Sequence, residues 1–132
     1  MTYKIQKTEQ EWRNKLGTEA FAVLREGHTE QAFCGLYWNN HDLGSYICAA
    51  CDTALFESKV KFNSGTGWPS FFQPLSKEVL EINQDKSHAM VRTEVKCTAC
   101  GSHLGHVFED GPAPTGLRYC INSVALKFVP EK

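Results

Sequence analysis

Two Cys-x-x-Cys pairs constrain the fold of this chain more than any other feature of its sequence. The first pair is Cys48 and Cys51, the second is Cys97 and Cys100, and residues 52–96 lie between them. A two-residue spacer lets one tight turn present both sulfur atoms, and four thiolates can surround Zn²⁺ tetrahedrally at about 2.3 Å. The spacing therefore predicts a structural zinc site that joins distant parts of the chain. Because sulfur fills all four positions, we expect this metal to have no catalytic role.

Two redox-active Cys-x-x-Cys motifs are the alternative interpretation of these four cysteines. That interpretation requires a βαβ pattern beside each motif, and the sequence lacks one. Gly101, directly after the second pair, suits a turn whose backbone N–H groups approach the sulfur atoms. These observations favour zinc.

Length and charge restrict the class of protein. The 132 residues are enough for one domain with its own core, so we expect residues 1–132 to form a single domain. The 14 basic and 15 acidic side chains nearly cancel, which argues against nucleic acid or an anionic membrane as partner. The sequence shows neither a signal peptide nor an apolar run of the ~18 residues that a membrane helix needs. We expect a soluble, cytoplasmic, monomeric protein.

Two short helices are predicted within residues 1–27. Thr8 and Glu11 form a capping-box pattern at the start of the first helix, and a left-handed Gly17 is expected to end it. Thr18 is predicted to cap the second helix, and Gly27 to end it.

The remainder, residues 28–132, is predicted to be mostly β. Residues 28–42 have no period and indicate an extended loop, and two glycines and a proline make residues 63–72 an irregular loop. Residues 86–88 are the expected tip of a hairpin. Apolar alternation predicts strands at residues 44–47, 54–56, 59–62, 79–85, 90–96, 104–108, 117–122 and 124–129.

Cys120 is the candidate nucleophile, since the zinc set leaves only Cys34 and Cys120 among six cysteines. The strand period places Arg118, Cys120 and Asn122 on one face. A cysteine with a pKa near 8.5 is only about 3% thiolate at pH 7, and these two neighbours offer positive charge and hydrogen bonds. The alternative is that Cys120 is a small buried apolar side chain.

His103 and His106 are the candidate acids near this thiol. On a regular strand they point to opposite faces, so at most one reaches Cys120 unless the segment bends at Gly105. The alternative is that they pack beside the metal site.

Three blocks of sequence, together with the two cysteine pairs, resemble the B-type methionine sulfoxide reductases. The blocks are Ser-Gly-Thr-Gly-Trp-Pro-Ser-Phe at 64–71, Ser-His-Leu-Gly-His-Val-Phe-Glu-Asp-Gly-Pro at 102–112 and Gly-Leu-Arg-Tyr-Cys-Ile-Asn-Ser at 116–123. The resemblance covers nearly the whole chain. It implies a mainly β fold of two antiparallel sheets with short N-terminal helices and a structural zinc site. It also implies reduction of methionine-R-sulfoxide, mainly in oxidised peptides and proteins.

The resemblance assigns the chemistry to three residues. Cys120 matches the cysteine that attacks the sulfoxide sulfur. His106, helped by His103, matches the group that protonates the sulfoxide oxygen, which matters because water leaves sulfur far more easily than an oxyanion does. The reaction would release methionine and leave Cys120 as a sulfenic acid.

Five further residues match residues that line or support the family's active site. Trp68 and Phe108 correspond to the surface on which the substrate methyl group packs. Asn122, Arg118 and Asp110 correspond to polar residues that line or brace the site.

The sequence departs from the commonest family pattern at the resolving cysteine. Thr66 occupies that position, and threonine cannot form a disulfide. Some family members use a cysteine of the N-terminal loop, which corresponds to Cys34 here. We therefore expect a Cys34–Cys120 disulfide recycled by thioredoxin; the alternative is that Cys34 is a buried spectator, with an external thiol reducing the sulfenic acid directly.

Two other classes of function compete with this prediction. A zinc-ribbon binding module would use the cysteine pairs to present a surface, but it would leave Cys34 and Cys120 idle, and the charge does not favour nucleic acid. A peroxidatic cysteine protein would reduce hydroperoxides. Assays with each sulfoxide epimer and with peroxide would separate the three.

Overall fold

Two antiparallel sheets follow two short helices in the computed structural model, which describes residues 3–85 and 92–131. This architecture confirms the predicted mainly β fold. The helices are α1 (Glu9–Leu16) and α2 (Thr18–Glu26), and the strands are β1 (Gly44–Cys48), β2 (Ala54–Glu57), β3 (Lys61–Phe62), β4 (Ser70–Phe71), β5 (Leu80–Asp85), β6 (Arg92–Cys97), β7 (His103–Phe108), β8 (Arg118–Ile121) and β9 (Leu126–Pro130).

The helix ends follow the predicted caps with two exceptions. Thr8 Oγ1 accepts the Glu11 N–H and the Glu11 carboxylate accepts the Thr8 N–H, which completes the capping box of α1. Gly17 ends α1 at φ 83° and ψ 171°, so its φ is positive but it is not in the predicted left-handed helical conformation. Gly17 is also the N-cap of α2, so the prediction that Thr18 caps this helix is wrong. Gly27 ends α2 in the left-handed conformation, as predicted.

The helices pack on the sheets through apolar side chains. Trp12, Phe21 and Leu24 are buried in the common core. Arg25 stacks on Trp12 and donates a hydrogen bond to the carbonyl of Cys100, which ties α2 to the second cysteine pair. Within residues 3–85 and 92–131, no helix is long and apolar enough to cross a membrane.

The core lies between the two sheets. The small sheet has the order β2-β1-β9 and the large sheet the order β3-β4-β8-β7-β6-β5. Phe56 of the small sheet stacks on Phe71 of the large sheet at a centroid distance of 4.3 Å, and Tyr46 meets the edge of Phe71. These buried rings hold the small sheet against β4, the neighbour of β8.

Several predicted strands differ from the structure at their ends. Residues 59 and 60, predicted as strand, belong to a 3₁₀ turn at Ser58–Val60, and residues 124 and 125 belong to another at Ser123–Ala125. Residues 63–72 were expected to lack regular structure, yet Ser70 and Phe71 pair with β8 as β4. Proline breaks a ladder only at its own N–H, so the chain after Pro69 is free to pair. The predicted pairing of β5 with β6 is confirmed, while its tip at residues 86–88 lies outside the described residues.

A β-bulge in β7 changes which way its side chains point. Val95 of β6 faces Gly105, but the next residue, Lys96, faces His103, so Leu104 is an extra residue in β7. The bulge resets the alternation, and the rings of His103 and His106 meet with a centroid distance of 5.3 Å. The prediction of opposite faces made an exception for a bend at Gly105, and the bulge next to Gly105 is such a bend.

Gly105→Ala is expected to destabilise the fold severely. A Cβ at Gly105 would overlap the carbonyl oxygen of Cys120 and lie 3.0 Å from the Cα of Ile121. Both contacts are backbone and cannot move without separating β7 from β8. We expect the free energy of unfolding, measured with urea, to fall by about 3 kcal/mol.

The matched control is Gly116→Ala. Gly116 has φ 73° and no atom within 4 Å of an added Cβ, so only its backbone conformation is strained, at about 1 kcal/mol. Equal losses in the two variants would contradict the close-approach argument.

Candidate active site

Cys120 and His106 face each other across two neighbouring strands. They are direct partners in the β7–β8 ladder, so their side chains leave the sheet side by side. Both line a cavity of about 220 Å³. The residues around this cavity are Thr29, Thr66, Trp68, Arg92, Gly105, His106, Phe108, Arg118, Cys120 and Asn122. Asn122 lies one residue beyond β8 but remains on the cavity side, as the strand period predicted.

The surroundings of the Cys120 thiol act on its pKa in opposite directions. Burial raises the pKa, and the negative charge of Glu30 adds to this effect. The charge of Arg118 and hydrogen bonds with Thr66 and Arg118 lower it. The net direction of the pKa is upward, so Arg118 and Thr66 are the groups that favour the thiolate form of Cys120.

Arg118 is held in place by a carboxylate and an aromatic ring. Its Nε lies 2.9 Å from Asp110 Oδ1, its second bond to Asp110 is 3.2 Å, and its guanidinium stacks 4.4 Å from the centroid of Phe108. Hydrogen bonding to Arg118 lowers the pKa of Asp110, and the same bond raises the pKa of Arg118. Asp110 therefore braces the side chain that faces the thiol, and does not itself line the cavity.

His103 is paired with a carboxylate behind the cavity. Its Nδ1 lies 2.7 Å from Glu94 Oε2, and both side chains are largely buried. A carboxylate accepts hydrogen bonds, so Nδ1 carries the proton in this pair. His103 thus lies beside His106 in van der Waals reach but does not line the cavity.

Asn122 and Trp68 are both tied to the loop that follows α2. Asn122 Nδ2 donates to the carbonyl of Leu104 at 3.0 Å, and its Oδ1 accepts the N–H of Glu30 at 3.0 Å. Trp68 Nε1 donates to the carbonyl of Glu30, also at 3.0 Å. The loop therefore helps to place one polar and one aromatic wall of the cavity.

Cys34 lies on this same loop but outside the cavity. Its side chain is exposed, it is a free thiol, and it borders separate surface cavities near α2. Nearby bonds hold the loop: the N–H of Phe33 donates to the carbonyl of Gly67, and the N–H of Tyr37 donates to Ser123 Oγ. Cys34 and Cys120 thus lie on connected segments, and Cys34 is not among the residues that line the cavity around Cys120.

The four remaining cysteines form one compact cluster. Their sulfur atoms all lie within 4.8 Å of one another, with Cys48 and Cys100 at 3.8 Å and Cys51 and Cys97 at 3.6 Å. A ZnS₄ tetrahedron with 2.3 Å bonds has edges of about 3.8 Å, so the cluster can hold a tetrahedral metal ion.

The local turns and the titration of the thiols fit a metal ion. Gly101, which suits the turn after the second pair, has φ 75°, and Asp52, directly after the first pair, has φ 64°. Hydrogen bonds with Cys100 raise the pKa of Cys48 and of Cys97, and lower that of Cys51. Thiolates this close repel one another, so full deprotonation needs a cation at the centre.

Sequence reasoning did not identify Thr29, Glu30, Arg92 or Glu94 as site residues. The first two lie in a loop without periodicity, and a loop's path over the surface leaves no local pattern. Glu94 lies on β6 directly opposite His106, a relation that only the β6–β7 register reveals. Only Glu94 gave a weak signal in the sequence, because an acidic residue there stands within a stretch of β-forming residues.

Comparison with known proteins shows the family of this chain. The SelR domain family matches residues 16–130. A protein of Leptospira interrogans named peptide methionine sulfoxide reductase MsrB is 52% identical over 131 residues, 99% of this chain and 100% of its own length. A protein of the same name from Thiobacillus denitrificans is 55% identical over 125 residues, 95% of each chain. The chain therefore belongs to the SelR domain family, that of the B-type peptide methionine sulfoxide reductases that its motifs resemble.

Proposed function

We propose that this protein reduces methionine-R-sulfoxide in oxidised peptides and proteins to methionine. The observation that carries the proposal is the direct pairing of His106 with Cys120 in a cavity that Trp68 and Phe108 also line. An acid, a sulfur nucleophile and an apolar wall are the three parts that sulfoxide reduction requires. The names of the relatives support the same reaction class.

The first step forms a bond between Cys120 and the substrate sulfur. The Cys120 thiolate attacks, and His106 gives a proton to the sulfoxide oxygen, which becomes a hydroxyl group on the substrate sulfur instead of an oxyanion. The hydroxyl group then passes to Cys120 Sγ as the sulfur–sulfur bond breaks, and the electron pair of that bond stays with the substrate sulfur. The thiolate is thereby oxidised by two electrons to a sulfenic acid, and methionine is released.

Charge and shape in the cavity assist this step. Arg118 faces the thiol and favours its thiolate, while Asp110 keeps the guanidinium in place. Trp68 and Phe108 would receive the methyl group of the substrate, since methyl groups prefer apolar surfaces to water. Both ends of the Asn122 amide are held by hydrogen bonds, so this polar group has a fixed position in the cavity.

The second step removes the oxygen as water. The Cys34 thiol condenses with the sulfenic acid to give a Cys34–Cys120 disulfide, and the dithiol of thioredoxin reduces that disulfide by exchange. Cys34 is exposed and free, which suits both partners, and it must travel to Cys120 because it does not line the cavity. A cytoplasmic location is consistent with this cycle because it keeps thiols reduced.

Zinc is the metal that best fits the four-cysteine cluster. Cys48, Cys51, Cys97 and Cys100 would hold it with sulfur alone, and a closed thiolate shell is typical of structural zinc. The ion would lock the end of β1 to the end of β6.

We infer that residues 1–132 act as one domain, because the core joins both helices to both sheets.

Cys120→Ser is expected to lower the reduction rate of the R epimer about a thousandfold or more, because a serine hydroxyl is a far weaker nucleophile than a thiolate. The assay measures methionine formed with dithiothreitol as reductant. The wild-type protein should act on the R epimer and leave the S epimer and hydrogen peroxide unreduced. Activity retained by Cys120→Ser, or preference for peroxide, would refute the proposed function.

Cys34→Ser is expected to separate the two reductants. With dithiothreitol the variant should keep its activity, since a small thiol can enter the cavity and reduce the sulfenic acid directly. With thioredoxin, thioredoxin reductase and NADPH, turnover should fall about a hundredfold, because no protein disulfide forms for exchange. Full thioredoxin-driven turnover would exclude Cys34 as the resolving cysteine.

Cys51→Ser is expected to lose the metal and stability together. Metal analysis of the wild-type protein should find one zinc per chain. Loss of one ligand should lower the melting temperature by roughly 10 °C or more, because metal binding energy contributes directly to folding. The matched control, Cys34→Ser, should keep its zinc; equal zinc content in both variants would show that the cluster does not bind it.

A further inference from the structure

Glu30 contacts the active site through three separate groups. Its backbone N–H donates to Asn122 Oδ1 at 3.0 Å, and its backbone carbonyl accepts the indole N–H of Trp68 at 3.0 Å. Its carboxylate Oε1 accepts the N–H of Val124 at 2.9 Å, at the 3₁₀ turn that follows β8. One residue of an irregular loop thus touches two walls of the cavity and the segment next to Cys120.

The carboxylate is the only one of these groups that a substitution can remove. The loop at residues 28–42 belongs to no helix or strand, so no regular ladder keeps the backbone of Glu30 in register. The bonds of Phe33 and Tyr37 hold the loop further along, and the bond from Val124 to Oε1 holds it at Glu30 itself. Loss of the side chain would therefore loosen both backbone bonds, to Trp68 and to Asn122, without altering either partner.

The second carboxylate oxygen is buried at an energetic cost. Oε2 is inaccessible to solvent and accepts no hydrogen bond from the residues that the structure describes. It lies against Gly35, where an added Cβ would come within 2.5 Å of it. A buried oxygen without a donor destabilises the fold, so the anchored side chain must contribute something that a smaller residue would not.

Electrostatics does not explain the carboxylate. Its negative charge raises the pKa of the Cys120 thiol, which disfavours the thiolate that attacks the substrate. An unfavourable charge near the nucleophile points to a geometric role for this side chain.

We propose that Glu30 is a positioning residue for sulfoxide reduction, whose anchored carboxylate fixes the loop that sets the Trp68 wall and the Asn122 amide at the substrate cavity. The proposal rests on the proposed function, in which both residues border the bound substrate. Glu30 does not itself line the cavity, so it acts through these two side chains. Because the walls contact substrate before and during reaction, their displacement weakens binding more than chemistry.

The test is steady-state kinetics on the R epimer with dithiothreitol as reductant. Glu30→Ala should raise KM about tenfold, the equivalent of one lost hydrogen bond, and change kcat less than about threefold. Glu30→Gln keeps an oxygen acceptor for the Val124 N–H and should restore KM to within about twofold of wild type. The matched control is Glu26→Ala, at an exposed glutamate that ends α2.

A third variant, Glu30→Asp, tests the proposal if Glu30→Ala does not fold. It keeps the charge but withdraws the carboxylate by one methylene, so it should also raise KM. An unchanged KM in Glu30→Ala or Glu30→Asp would overturn the proposal. A rise in Glu30→Gln as large as in Glu30→Ala would also overturn it, since charge and not the anchor would then be the cause.

A spectroscopic readout separates this proposal from the proposed function. The indole N–H resonance of Trp68, assigned with Trp68→Phe, should shift in Glu30→Ala and exchange faster with solvent, while the indole resonance of Trp12 stays in place. An unshifted Trp68 resonance would overturn the proposal that the Glu30 carboxylate anchors the loop. If the wild-type protein failed to reduce methionine sulfoxide, the proposed function would fail while this resonance still tested the anchor.

Discussion

The close pairing of β7 with β8 is the constraint on which the site depends. It places His106 directly beside Cys120, and it requires a glycine at position 105 because the carbonyl of Cys120 fills the space of a side chain there. The bulge at Leu104 then turns His103 toward His106. The side chains of Cys120, His106 and His103 are thus arranged by backbone pairing, which is far stiffer than a surface loop.

The cysteine cluster bears on a different feature of the fold, the connection between the two sheets. In the described part of the chain no strand pairs from one sheet to the other, so side chains make the contacts across the core between them. The stacked rings of Phe56 and Phe71 make that connection at one place. The thiols of Cys48, from the small sheet, and Cys97, from the large sheet, belong to a second connection that a bound metal would make rigid.

The loop at residues 28–42 shows how a segment without regular structure can organise a site. Glu30 bonds to Trp68 and Asn122, while Cys34 lies four residues further along the same loop. In the proposed cycle this one loop both shapes the substrate cavity and delivers the resolving thiol. These two roles require opposite properties of the loop, because a cavity wall must stay fixed and a resolving thiol must move.

Local sequence determined the elements whose causes are local. The capping box at Thr8, the two cysteine turns and the strand face shared by Arg118 and Cys120 each depend on residues within a few positions of one another, so spacing alone predicted them. Tertiary structure decided the rest. The shift that brings His103 beside His106 comes from the register against β6, and the contacts of Glu30 come from a loop folded across the molecule. Such relations leave no periodic trace, because a register or a chain path is selected by the packing of distant segments and not by neighbouring residues.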